Sequence, residues 1–292
     1  MALSESRRKK LEILTRSLAT GDIKRAEEML RARRAGRQRR APAKPLRLAK
    51  AAPGRTARAG GIAYWLIRRT LRDVSDDLAD VQREYAAVLR GAGHRFDELA
   101  ASPALCRIAD GAPEGPLFMD IETCGLAGAC IFLIGVMTYR DGDLLFEQFL
   151  ARHYGEEPAI LTAFARRLAR ADSLVTFNGK SFDMTSIRDR AVFHGLALPE
   201  TPAHCDLLHE SRRRWRGDLP NCRLQTIEQH LCRRRRSGDI PGADIPDAYH
   251  GWVADGDARP IAAIVHHNLL DLLTMSQILC AVLTGRGPDV DS

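Results

Sequence analysis

The sequence predicts an α/β fold, a mixed sheet flanked by helices, behind a basic N-terminal extension that is part helical and part disordered. Three observations predict it. Short apolar runs at Leu117–Ile121, Ile131–Tyr139 and Leu144–Leu150 read as consecutive strands, with Asp141-Gly142 as a hairpin signal between the last two. Residues 156–170 then carry helical spacing, and Ser173–Phe177 is a fourth strand-like run. Beyond it the apolar spacing is mostly helical, finishing with a helix over Pro260–Leu283.

The chain reads as three segments. Residues 1–60 form a basic extension in which Lys and Arg outnumber acids by roughly three to one. Within it, Leu11, Ile13, Leu14 and Leu18 are helically spaced, so one or two short helices are expected over residues 4–33. Residues 34–60 are rich in Ala, Arg, Pro and Gly without periodicity and are expected to be disordered in isolation. They are either a phosphate-contacting arm or a solvated leader. Residues 61–116 supply a strand at Ala63–Ile67 and a capped helix from Ser75 to Leu89, packing on or leading into the last segment. Tyr64 and Trp65 read as core. Residues 117–285 are expected to carry the chemistry.

Composition narrows the function. At 45% hydrophobic the chain can bury a core, and no apolar run approaches the ~20 residues needed to cross a bilayer. The N-terminus is charged from Arg7 onward, so the expected location is the cytoplasm and no membrane is expected as a partner. Seven cysteines without a Cys-x-x-Cys pair argue against a disulfide framework and a structural zinc site, including one built from Cys222, His230 and Cys232. A net charge of +7 points to polyanionic partners. The runs Arg212–Arg216 and Arg233–Arg236 are either a backbone track or solvated faces.

Three acidic elements carry the chemical signal. Asp120 and Glu122 end the first strand of the 117–285 segment two residues apart, so both side chains leave one face. Two adjacent anions repel unless a cation intervenes, and hard oxygen ligands suit Mg²⁺ or Mn²⁺. In Thr176–Asp183 a strand ends and Asn178-Gly179 turns, with Ser181 placed to cap a helix starting at Phe182 or Asp183. Lys180 either contacts phosphate or faces water. Finally, His267 and Asp271 lie four apart on an apolar helix and are neighbours in space. A buried carboxylate there needs a cation or donors. Asp206 and His209 offer either support for the site or a helix N-cap, and Asp239, Asp244 and Asp247 read as turn and cap residues.

Taken in order over about 150 residues, Asp-x-Glu, Asn-x-x-x-Phe-Asp and His-x-x-x-Asp resemble the DEDD exonucleases of the ribonuclease H-like superfamily. The stretches FMDIETCGL, IFLIGV, VTFNGKSFD, HCDLLH, LPNCRLQTIE and HNLLDLLTM resemble YprB-type ribonuclease H-like proteins, from roughly Gly60 to Leu283. The resemblance implies a ribonuclease H-like sheet and divalent-metal-dependent hydrolysis of nucleic-acid phosphodiesters, as a 3′→5′ exonuclease. It implies two Mg²⁺ or Mn²⁺ ions about 4 Å apart, held by Asp120, Glu122, Asp183 and Asp271. Asp120 would bridge them, Glu122 and Asp271 would hold the ion that activates water, and Asp183 would assist the other. Asn178, Lys180 and Thr123 would contact substrate, and a histidine would act as base. His267 matches the spacing of the resembled family, whereas His266 matches that of a second subgroup; His267 is favoured. The expected partner is DNA or RNA, single-stranded or with a free 3′ end. The alternatives are an endonuclease using the same site and a non-catalytic nucleic-acid-binding module.

Overall fold

The computed structural model describes residues 45–75, 78–95, 101–125, 128–236 and 239–288. The chain divides into Met1–Pro45 and Leu46–Ser292, and the account below concerns the second unit. The helices expected over residues 4–33 lie outside the described residues, as does the aperiodic stretch up to residue 44.

Described structure starts with a short helix α1 (Leu48–Ala51), strands β1 (Arg55–Ala59) and β2 (Ile62–Thr70), and helices α2 (Leu71–Val74), α3 (Ala79–Val88) and α4 (Pro103–Ala109). Then come β3 (Pro116–Thr123), β4 (Ile131–Arg140), β5 (Asp143–Leu150), α5 (Glu157–Leu168), β6 (Ser173–Thr176), α6 (Asp183–Phe193), β7 (Ala203–Asp206) and α7 (Leu207–Trp215). Helices α8 (Leu224–Cys232), α9 (Ile245–Asp255) and α10 (Arg259–Thr284) complete it. The seven strands form one mixed sheet in the order β1-β2-β5-β4-β3-β6-β7. Neighbours are antiparallel from β1 to β3, whereas β3–β6 and β6–β7 are parallel. This is the mixed sheet expected, with β4 at its centre and β3 beside it, where the antiparallel and parallel halves meet.

Local chemistry accounts for the register. Asp141 (φ 53°) and Gly142 (φ 78°) both take the left-handed conformation that a two-residue hairpin needs, so Arg140 pairs with Asp143. β5 is buried along its whole length, as a strand covered on both faces should be, and its polar residues Glu147 and Gln148 find partners there. Adjacent residues of β5 show the two faces: Glu147 bonds Arg167 at the end of α5, whereas Gln148 Nε2 donates to Val265 O of α10. Helix α10 packs against β3 and β4. It is long and apolar enough to cross a membrane, but 83% of its most apolar window is buried here, as befits a core helix.

Two expectations are corrected. Arg55–Ala59, assigned to the aperiodic stretch, forms edge strand β1, and its polar Arg-Thr-Ala-Arg-Ala sequence gives no apolar alternation to announce it. Its register comes from Gly60 and Gly61, both at positive φ, which set Ala59 opposite Ile62. The chain before it is pinned too: Ala258 N–H donates to Leu46 O, and Trp65 Nε1 donates to Ala52 O at 3.0 Å. Tyr64 packs edge-on against Phe149, so both aromatics belong to the core side, as expected. Ser75 closes a helix instead of opening one. Thr70 and Asp73 form a capping box on α2, and Ser75 N–H donates to Leu71 O at its end.

Candidate active site

At the carboxyl end of β3, Asp120 and Glu122 leave the face covered by α10. Asp120 stands opposite Gly135 of β4, which stands opposite Gln148 of β5. Asn268, fully buried on α10, fills the space over Gly135: a Cβ there would lie 2.0 Å from its Oδ1. Asn268 Nδ2 donates to Asp120 Oδ2 at 2.8 Å, and its Oδ1 accepts from Gln148 Nε2 at 2.8 Å. The carboxylate of Asp120 is thus fixed by a buried amide relay. Sequence reasoning missed Asn268 and Gln148; the glycine inside an apolar strand was the available signal of close approach.

Asp183 opens α6, and its carboxylate accepts the backbone N–H groups of Ile121 and of Asp183 itself. Ser181 does not cap this helix: the N-cap is Phe182, without a side-chain capping bond. Phe182 and Ser181 N–H groups instead donate to Asn178 O, and Asn178 adopts a left-handed conformation (φ 65°) that turns the chain. Asp206 does both things considered for it. It caps α7 through Leu208 N–H at 3.1 Å and grips the 178–180 loop through Asn178 N–H (2.8 Å) and Lys180 N–H (3.0 Å). Asn178 and Lys180 side chains are exposed, as is His209, whereas Thr123 Oγ1 is turned to Gly125 O at 2.6 Å.

Two turns of α10 supply the rest. His267 is buried and His266 exposed. His267 Nδ1 lies 2.8 Å from Asp239 Oδ1, and its Nε2 lies 3.4 Å from Asp271 Oδ2. Asp239, taken from the sequence as a turn residue, is therefore the partner of His267. Asp271 Oδ1 accepts from Arg236 Nη2 at 2.5 Å, while Arg236 Nε donates to the buried Glu228 at 2.6 Å. Glu228 also accepts from Arg234 Nη1 and Thr274 Oγ1. Arg234 and Arg236 are thus internal ion-pair members, not part of a backbone track. Arg213 and Arg214 are likewise paired, to the buried Glu210. Both buried glutamates were missed, because their partners are set by tertiary structure.

The four carboxylates raise one another's pKa. Burial, then the charges of Asp271, Glu122 and Asp183, hold Asp120 well above the usual carboxylate range. Glu122 is raised in the same way, by burial and then by Asp271, Asp183 and Asp239. Burial pushes Asp183 up to about 7 despite its two backbone donors. Asp271 is raised by burial, against the opposing pull of Arg236 and His267. Burial by itself would lower the Arg236 pKa, yet Asp271 and Glu228 keep it raised and the guanidinium charged. Such a cluster is short of positive charge, and its all-oxygen donor set suits a hard divalent cation. Among the described residues, however, no group of three or more His, Cys, Asp and Glu is already arranged around a metal position. The hydrogen bonds above explain part of this: Asp120 is turned to Asn268, Asp183 to the backbone and Asp271 to Arg236.

Comparison with known proteins places this arrangement. The family model of the RNase_H superfamily matches residues 117–282, the span holding all four acids. Over 165 residues the chain is 34% identical to the uncharacterized protein YprB of Bacillus subtilis (strain 168), covering 54% of this chain. It spans only 39% of that relative's length. Among solved structures, the family B DNA polymerase of the hyperthermophilic archaeon Pyrobaculum calidifontis aligns with 58% of this chain and 27% of its own, at TM-score 0.45 and 16% identity. With its acids on one sheet end and its family match across more than half the chain, this protein belongs to the ribonuclease H superfamily.

Proposed function

We propose that the chain hydrolyses nucleic-acid phosphodiester bonds with divalent metal ions, as a 3′→5′ exonuclease. The observation that carries this reading is the convergence of Asp120, Glu122, Asp183 and Asp271, beside a histidine held by its own carboxylate. Asp120, Glu122, Asp183 and Asp271 would hold two Mg²⁺ or Mn²⁺ ions. When bound, such ions neutralise charge on the phosphate and on the attacking and leaving oxygens.

The chain's own residues do the remaining work. Asn268 keeps one oxygen of Asp120 in a fixed orientation. Asp239 would accept a hydrogen bond from His267 Nδ1–H, leaving Nε2 with a lone pair on the side of Asp271, the form needed to take a proton from water. Arg236 releases Asp271 Oδ1 when that oxygen is needed elsewhere. Asn178 and Lys180, exposed on a loop that Asp206 fixes, would contact the sugar and phosphate, and Thr123, whose hydroxyl bonds Gly125 O, would contact substrate at the strand end.

The test uses purified protein, end-labelled DNA and RNA with free or blocked 3′ ends, and Mg²⁺ or Mn²⁺. Expected are metal-dependent products from free 3′ ends, lost in Asp120→Asn and Asp271→Asn. Cleavage retained in either variant overturns the site, and equal cleavage of blocked ends overturns the exonuclease polarity. One observation favours a binding-only module instead: Arg236 already neutralises Asp271. That reading is supported by strand binding with no product in either metal.

A further inference from the structure

Opposite the carboxylates, at the other end and on the other face of the sheet, lies a cleft of about 200 Å³ walled by arginines. Helix α5 stops at Leu168 and leaves the end of its face of the sheet open, floored by Leu66, Thr138 and Leu145. Arg55, Arg68, Arg140, Arg167 and Arg170 surround this floor. Register puts them on one face: Arg55 pairs with Leu66, and Arg68 with Glu147, whose side chain meets α5.

The charge is unbalanced. Glu147 is spent on Arg167, with both oxygens bonded, and Glu114 is the other acid of the lining. Among the described residues Arg55, Arg68, Arg140 and Arg170 have no hydrogen-bonded or ionic partner, and all four are exposed. This contrasts with Arg213 and Arg214 of α7 and with Arg234 and Arg236 just beyond α8, which pair with the buried Glu210 and Glu228. Four guanidinium groups without a described partner therefore share this one cleft.

We propose that this cleft is a second nucleic-acid contact, binding the phosphate backbone of a strand apart from the carboxylate site. Guanidinium forks match phosphate oxygens, and a floor of Leu66, Thr138 and Leu145 gives bases no aromatic ring to stack on, so binding is independent of sequence. From Pro116 to Glu122 the sheet spans about 20 Å, and the two sites are on opposite faces. A short oligonucleotide therefore occupies one site only, and a long strand must pass round the sheet to reach both.

The experiment measures binding of labelled single strands in EDTA, which reads the cleft whether or not the carboxylates cut. The variant is Arg68→Gln/Arg140→Gln/Arg170→Gln, compared with a charge-matched control, Arg90→Gln/Arg107→Gln/Arg216→Gln, at exposed positions outside the cleft. Circular dichroism verifies that both are folded. Removing three phosphate contacts lowers the slope of log affinity against log salt by about 2, or about a hundred-fold in affinity at 0.1 M salt. The control keeps most of the slope. Equal losses in variant and control, or no loss, overturn the proposal. So does displacement of strands by polyglutamate at lower phosphate-equivalent concentration than by unlabelled nucleic acid, which would mark an acidic protein as the occupant.

Discussion

Replacing Arg236 by Met tests how the carboxylate cluster is held together. The change keeps the aliphatic stem and removes the cation that links Asp271, Glu228 and Asp239. Removing one partner from a buried ion pair costs about 3–5 kcal/mol, because the other charge stays behind. Two features here favour the low end. Glu228 retains Arg234 and Thr274 on its other oxygen, and Asp271, already raised by burial, can take up a proton. A loss of about 3 kcal/mol in a unit the size of Leu46–Ser292 lowers Tm by roughly 6–12 °C. The loss is greater at pH 8 than at pH 5.5, since protonation relieves the uncompensated carboxylate only at low pH. Thermal unfolding in EDTA measures it. Manganese should then raise Tm more in Arg236→Met than in the parent, because the parent must first break the Arg236–Asp271 bond to free Oδ1. Equal melting of variant and parent at pH 8 in EDTA would refute the electrostatic account. A larger manganese effect in the parent would show that Arg236 does not compete with the cation.

Three further outcomes follow from the same geometry. Gly135→Ala sets a Cβ against Asn268 Oδ1, so overpacking of about 1–3 kcal/mol adds to a weakened bond to Asp120; urea unfolding should show the loss, and adding Asn268→Ala should recover part of it, whereas simple additivity would sink the steric explanation. Asp239→Asn removes the carboxylate that sets the His267 tautomer, so kcat should fall about a hundred-fold or more with KM nearly unchanged; kcat within two-fold of the parent would exclude His267 as the base. In EDTA the folded state holds protons on Asp120, Glu122 and Asp183 that the unfolded chain has released, so stability is fullest below about pH 4 for these groups and declines as pH rises toward 7 and beyond; divalent cations should flatten that decline, and unfolding midpoints at pH 5, 6, 7 and 8 measure it.

The fold was legible where the sequence repeats a period that burial requires. β4 is apolar along nearly its whole length, β5 carries apolar residues at both ends of a short polar pair, and Asp141-Gly142 joins them, so their boundaries fall within a residue of the expected runs. α10 was equally plain, its apolar spacing running uninterrupted from Ile261 to Leu283. Strand β1 was not legible, since an edge strand of Arg, Thr and Ala has no apolar face of its own and takes its structure from pairing with β2. α2 was lost for a related reason. Its four residues are too few to show a period, and the Thr70–Asp73 capping box that starts it lies between the expected strand at Ala63–Ile67 and the helix expected from Ser75.

The four acids and their order were readable because metal-type chemistry fixes residue identity at points that local structure presents: a strand end, a helix start and a helix face. Their supports follow a different logic. Gln148, Asn268, Asp206, Glu228 and Asp239 come from five separate elements and meet the acids or the adjoining loop through contacts spanning from 26 to 148 residues of sequence. No local pattern encodes such a meeting, so Gln148, Asn268 and Glu228 were missed, Asp239 read as a turn residue, and Asp206 was left between a cap and a support. The arginine runs show the same limit in reverse. Read locally they form two positive tracks, yet their inward members neutralise Glu210 and Glu228, while the cleft's four arginines without a described partner stand singly in sequence at residues 55, 68, 140 and 170. Charge density along a chain is therefore a poor guide to charge density on its surface. In these runs the balance is decided by which acids are buried beneath each arginine, and four arginines far apart in sequence meet where the sheet leaves a face uncovered.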